Sequence, residues 1–94
     1  MKLGLMLGYS GARMELPVDL VKQAEDLGYA SVWTAEAYGS DALTPLAYLA
    51  AHTSRIRLGT GIVTLPMEMP IRVAEDATVL DLMSGGRVEL GVGS

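Results

Sequence analysis

The side chains suited to chemistry in this 94-residue chain are few. Cysteine is absent, which excludes thiolate nucleophiles, disulfides and cysteine metal sites together. The one histidine, His52, falls late in an apolar helical stretch, where a cation suits a helix C-terminus. It is read as structural, and no metal site is expected. The remaining candidates lie just past β-like runs. Glu36 and Tyr38 follow the run Ser-Val-Trp-Thr at 31–34. A carboxylate there can take part in proton transfer or orient a polar group of a substrate. The plainer reading is a solvated loop acid beside an aromatic packing lid. Tyr9 and Ser10 follow the first apolar run in the same way. A third stretch, Leu58-Gly59-Thr60-Gly61-Ile62, turns glycine-rich at its end. That allows something to approach the backbone closely, or only relieves crowding between strands.

These candidates need elements to position them, and the pattern supplies a regular series. Residues 3–7 form a short apolar run bounded by glycines, as expected for a strand buried on both faces. Pro17 suits the first position of a helix whose apolar positions are Leu20, Val21, Ala24 and Leu27, and Gly28 supplies the left-handed stop. No capping side chain stands just before Pro17. Residues 31–34 form the second strand. Thr44 and Pro45 read as N-cap and first helical position of a second helix carrying Leu46, Leu49 and Ala50. Ile56, Leu58, Thr60 and Ile62 alternate along the third strand, over 56–62. Prolines 66 and 70 exclude regular structure between them. Val73, Ala77 and Leu80 share one face of a third helix that stops at Ser84-Gly85-Gly86. A fourth strand spans 88–92.

Strands alternating with helices imply an α/β fold with parallel pairing. Half the residues are hydrophobic and 19% are charged, enough for a packed core. Lys+Arg 7 against Asp+Glu 11 gives a net charge of −4, and no basic block is present. Neither a nucleic-acid footprint nor a polybasic membrane anchor is visible. The Lys2-then-apolar opening resembles a signal peptide but is cut by Gly4 and Gly8, so a strand is expected. No stretch approaches the ~20 apolar residues of a membrane span. The expected setting is cytoplasmic.

Two closures fit four strands and three helices. One is an open flavodoxin-like sheet, for which Gly8-Tyr9-Ser10-Gly11 is a poor phosphate loop. The other is half of a TIM barrel, since Gly4, Gly59 and Gly91 suggest a crowded inner face. A whole barrel takes ~250 residues. The barrel portion is preferred, as one partial domain over 1–94. By alternation, Arg57 and Glu89 fall on the same side as Gly59 and Gly91 and are expected to pair across the sheet.

Three ordered stretches resemble a known family: Trp33-Thr34-Ala35-Glu36-Ala37-Tyr38, Leu58-Gly59-Thr60-Gly61-Ile62, and Ser84 to Gly93 with its Gly-Gly-Arg. Together they resemble the luciferase-like monooxygenases, most of all the branch using the deazaflavin coenzyme F-420. The resemblance implies the N-terminal half of a TIM barrel. It implies FMN or coenzyme F-420 at the carboxyl ends of the strands, for hydride transfer or oxygen activation on a small-molecule substrate. Carried over by position, Thr60, Gly61 and Ile62 would line the ring, with Tyr9 beside them and Glu36 as the catalytic carboxylate. The non-prolyl cis peptide common in the family would fall between Gly61 and Ile62. Glu68 stands where relatives often carry a basic residue. The family's phosphate-binding parts lie in the second half of the barrel, so weak cofactor binding and no competence as an isolated enzyme are expected. The alternative is a standalone half-barrel that forms a homo-oligomer through open strand edges.

Overall fold

The computed structural model describes residues 2–7, 16–35, 41–61, 63 and 70–92. The elements follow the expected order: β1 (Gly4–Met6), α1 (Val18–Asp26), β2 (Ser31–Thr34), α2 (Leu43–Ala50), β3 (Arg57–Thr60), α3 (Pro70–Ser84) and β4 (Val88–Glu89). All neighbouring strands pair in parallel, in the order β1-β2-β3-β4. This is the α/β architecture of a partial barrel.

The helices cover one face of the sheet. Leu5, Val32, Leu58 and Val88 point to that face and meet Val21 of α1, Leu46 and Leu49 of α2, and Leu80 of α3. Leu46, Leu49, Leu58 and Ile56 are fully buried, each such side chain stabilising by about 1.5–3 kcal/mol relative to exposure. A second, smaller cluster of Ala42, Val63 and Val73 closes the layer near the carboxyl ends of the strands.

The other face carries Gly4, Met6, Ser31, Trp33, Arg57, Gly59 and Glu89 in register. Trp33 lies across it. A Cβ added at Gly59 would overlap the indole ring, and one at Gly4 would come within 3.1 Å of the indole Nε1. That nitrogen donates to Ser31 Oγ at 2.8 Å. The inner face is crowded as the glycine pattern suggested, and Trp33 is what crowds it. Arg57 Nε donates to Glu89 Oε1 at 2.7 Å, so the expected cross-strand pair forms.

Several expectations are corrected. β1 is not buried on both faces: Met6 is 61% exposed, because the helices cover only one side of an edge strand. α1 starts at Val18, with Pro17 one residue outside and no capping side chain. α2 starts at Leu43, before Thr44. The cap is Asp41, whose Oδ2 accepts from the Thr44 amide and hydroxyl, both at 2.9 Å. Pro45 sits within the first turn, where its missing N–H costs nothing. β3 is shorter than expected at both ends and β4 is only two residues long. β4 ends at Glu89, and beyond it the Thr60 hydroxyl accepts from Gly91 N at 2.7 Å and donates to Gly91 O at 2.9 Å. The helix stops at Gly28 and at Gly85-Gly86 are as expected. Both have positive φ, and paired backbone bonds close the last turns of α1 and α3.

Candidate functional site

In parallel β/α architectures the ligand ends are the carboxyl ends of the strands. Here that end is built around Gly61. Its N–H donates to the Thr34 carbonyl at 2.6 Å, extending the β2–β3 ladder by one step. A Cβ at position 61 would stand 3.4 Å from Thr34 O, 3.5 Å from the Met6 methyl and 3.8 Å from the Ala35 Cβ. These are ordinary contact distances, so the fold tolerates a side chain there. Gly61 itself is part-exposed, with Met6 and Ala35 beside it.

The flanking threonines hold this end in place. Thr34 Oγ1 donates to the Ala42 carbonyl at 2.7 Å inside the layer, which anchors the start of α2 to β2. Thr60 is fully buried and its hydroxyl both donates to and accepts from Gly91. Val63 N donates to Gly91 O at 3.1 Å. Gly91 has no room for a side chain, since a Cβ would lie 2.5 Å from Thr60 O. The hydroxyl of Thr60 is therefore directed at β4, and the residue sets the position of Gly61 from behind. Of the proposed ring wall, Thr60 and Gly61 lie next to one another at this end. Ile62, Tyr9 and Glu36 lie outside the described residues, as do Ser10, Tyr38, Glu68 and the Gly61–Ile62 peptide bond.

Two ionic groups at the opposite end of the sheet went unrecognised in the pattern. Glu25 on α1 is buried, and its Oε2 accepts from the N–H groups of Ser54, Arg55 and Ile56 at 2.9, 2.6 and 2.8 Å. Burial alone would raise its carboxyl pKa. The three backbone donors, helped by the Arg55 charge, outweigh burial and hold it below the ordinary glutamate value. Arg87 is buried and spends its guanidinium on oxygens. It donates to the carbonyls of Ser84 (2.6 Å), Ile56 (3.2 Å), Ala50 (3.2 Å) and Thr53 (3.3 Å) and to the Thr53 hydroxyl (2.9 Å). It caps the C-termini of α2 and α3 with one cation. Both groups are structural, remote from Gly61. His52, expected late in the helix, lies just past α2, exposed, its ring 4.9 Å from that of Tyr48.

A four-stranded parallel sheet, helix-backed on one face, is the architecture of a portion of a β/α barrel. The chain belongs to the luciferase-like monooxygenase family, whose model matches residues 2–94. A protein of Mycobacterium tuberculosis that carries the name of a coenzyme F-420-dependent oxidoreductase is 51% identical over 94 residues, covering 99% of this chain and 27% of its own length. The N-acetyl-S-alkylcysteine monooxygenase of Bacillus subtilis is 39% identical over 82 residues, 81% of this chain and 25% of its own. Among solved structures, the coenzyme F-420-dependent tetrahydromethanopterin reductase of Methanopyrus kandleri matches with a TM-score of 0.81 at 31% identity, over 98% of this chain and 26% of that one. An FMN complex of the oxygenating constituent of 3,6-diketocamphane monooxygenase from Pseudomonas putida matches in fold, with a TM-score of 0.83 at 21% identity over 99% of this chain and 29% of that one. The chain spans about a quarter of the length of these relatives. No described helix is long and apolar enough to cross a membrane.

Proposed function

We propose that the chain forms the N-terminal half of a flavin- or deazaflavin-dependent oxidoreductase barrel and supplies one wall of its cofactor site. The observation that carries this reading is the part-exposed glycine backbone at Gly61, just past β3 and beside Met6 and Ala35, where a side chain is accommodated at ordinary contact distances. Bound there, FMN or coenzyme F-420 supplies hydride transfer or oxygen activation. In this reading Gly61 and Ile62 line the ring with Tyr9 beside them, and Thr60 holds Gly61 from the buried side. Glu36 moves a proton or orients a polar group of a small-molecule substrate. Water is kept from one side of the ring by the Trp33 face of the sheet. The setting is cytoplasmic in this reading.

Equilibrium titration with FMN and with coenzyme F-420 tests it. The expected result is saturable but weak binding of at least one of them, lost in Gly61→Val because the valine fills the ring's place without disturbing the sheet. Absence of saturable binding to both, or unchanged binding in Gly61→Val, refutes the proposal.

A second reading is favoured by the free edges of the sheet: β1 and β4 each have one described neighbour. Two copies that joined the β4 edge of one to the β1 edge of the other, twice, would keep all strands parallel and close eight strands. Light scattering decides: a single stable dimer supports self-association and a monomer refutes it.

A further inference from the structure

Glu25 stands where a helix does not favour it. It lies in the last turn of α1, one residue before the helix ends at Asp26, and no basic residue shares that turn. A negative charge there opposes the helix dipole. What holds it lies outside α1. The N–H groups of three consecutive residues, Ser54, Arg55 and Ile56, converge on a single oxygen, Glu25 Oε2. Successive backbone amides turned to one point form an anion-binding concavity. Arg55, whose guanidinium donates to the Glu25 carbonyl at 3.3 Å, adds positive charge beside it. The same turn is held from its other edge without the Glu25 carboxylate. Arg87 donates to the carbonyls of Ala50, Thr53 and Ile56. The Thr53 hydroxyl donates to the Leu49 carbonyl at 2.8 Å, and Arg57 N donates to the Ala30 carbonyl at 3.0 Å. Contacts that do not involve the carboxylate thus aim the amides that bind it.

We propose that residues 54–56 form a preorganised binding site for a small carboxylate, which Glu25 fills from within the chain as a tethered ligand. α1 is docked at the entry to β3 by this contact, made 29 to 31 positions away in the chain, as well as by its apolar face. Truncation of Glu25 to alanine removes one methylene and the carboxyl group, which together have the heavy atoms of an acetate ion. The three donors stay in place because Arg87 and the β2–β3 ladder hold their turn. The vacated site then takes acetate from solution, and a longer carboxylate such as butyrate exceeds the space left by the missing atoms.

Chemical rescue tests this. The full chain is unfolded in urea at pH 7, followed by circular dichroism, in sodium acetate, butyrate or chloride at equal ionic strength. Glu25→Ala is expected to be stabilised saturably by acetate. A ligand with a Kd on the order of 0.1 M multiplies the folded-to-unfolded ratio about sixfold at about 0.5 M. Wild type and Glu25→Gln, whose sites are filled, gain no more from acetate than from chloride. Where Glu25→Ala is unfolded in chloride, the same binding is read as helical signal recovered on adding acetate. An equal response of Glu25→Ala to acetate and chloride, in unfolding midpoint or in recovered signal, overturns the proposal. A response to butyrate as large as that to acetate overturns it, because the site would not be shaped by the lost atoms. So does an acetate response as large in wild type, which is exclusion of the salt from the protein surface and not occupancy of a site.

Discussion

Glu25 allows a test in which chemistry, burial and topology all enter. Its carboxylate is 8% exposed and accepts three backbone N–H bonds from residues 54–56, the turn that leads into β3. Hydrogen bonds to a charged group contribute about 1.5–3 kcal/mol net. Glu25→Gln keeps one acceptor oxygen but loses the charge, and should cost about 1.5–3 kcal/mol. Glu25→Ala strands the amides near the helix layer and should cost more, about 3 kcal/mol or above. Against a total stability of roughly 5–15 kcal/mol, that is a large fraction. The sign with pH follows from the lowered carboxyl pKa. A depressed folded value favours the folded state wherever the group is ionised, so its contribution is fully present above the ordinary value of 4.5 and is lost as pH falls through the folded value. Urea unfolding followed by circular dichroism at pH 7 and at a series of values below 4.5 measures it. The gap between wild type and Glu25→Gln should be widest at neutral pH and narrow on acidification. A gap that is constant with pH, or below about 0.5 kcal/mol at pH 7, refutes the reasoning.

Arg87→Lys keeps the charge but cannot span five oxygens on α2, α3 and the β3 entry. It should cost about 2–4 kcal/mol in urea unfolding, with buried carbonyls left unsatisfied, and Arg87→Ala at least as much. By contrast, the Arg57–Glu89 pair has side chains 45% and 40% exposed. A double-mutant cycle with Arg57→Ala and Glu89→Ala should give a coupling of about 0.2–1 kcal/mol that shrinks with added salt, and a larger, salt-independent coupling would contradict the exposed geometry.

The order of the elements was legible because it rests on local chemistry. Gly28 and Gly85 adopt the positive φ that a helix stop requires, and the β-branched and apolar runs mark the strands. The Arg57–Glu89 pair was legible too, because alternation along two strands puts both on one face. Element ends were read less well. Thr44 carries the hydroxyl of a cap and sits next to a proline, but the helix starts at Leu43, two residues before Pro45, and the Asp41 carboxylate accepts from the Thr44 amide. β4 was drawn too long, since nothing in Leu90-Gly91-Val92 reveals that the Thr60 hydroxyl holds Gly91. At the candidate site, Thr60 was read as a ring-facing residue from its place in the motif, while the structure buries it, with its hydroxyl bonded to Gly91.

By itself, then, the sequence determined the series of strands and helices, their parallel pairing, the glycine-edged opening after β3 and, through its motifs, the family. Those features depend on residues a few positions apart, where periodicity and turn chemistry act directly. Only the tertiary structure decided that Glu25 is an anchored carboxylate, that Arg87 caps two helices, that Trp33 fills the space over Gly59, and that Met6 reaches Gly61 from two strands away. Each joins residues roughly 26 to 55 positions apart in the chain. Such contacts exist once the sheet has brought separate elements together, and no local pattern encodes them.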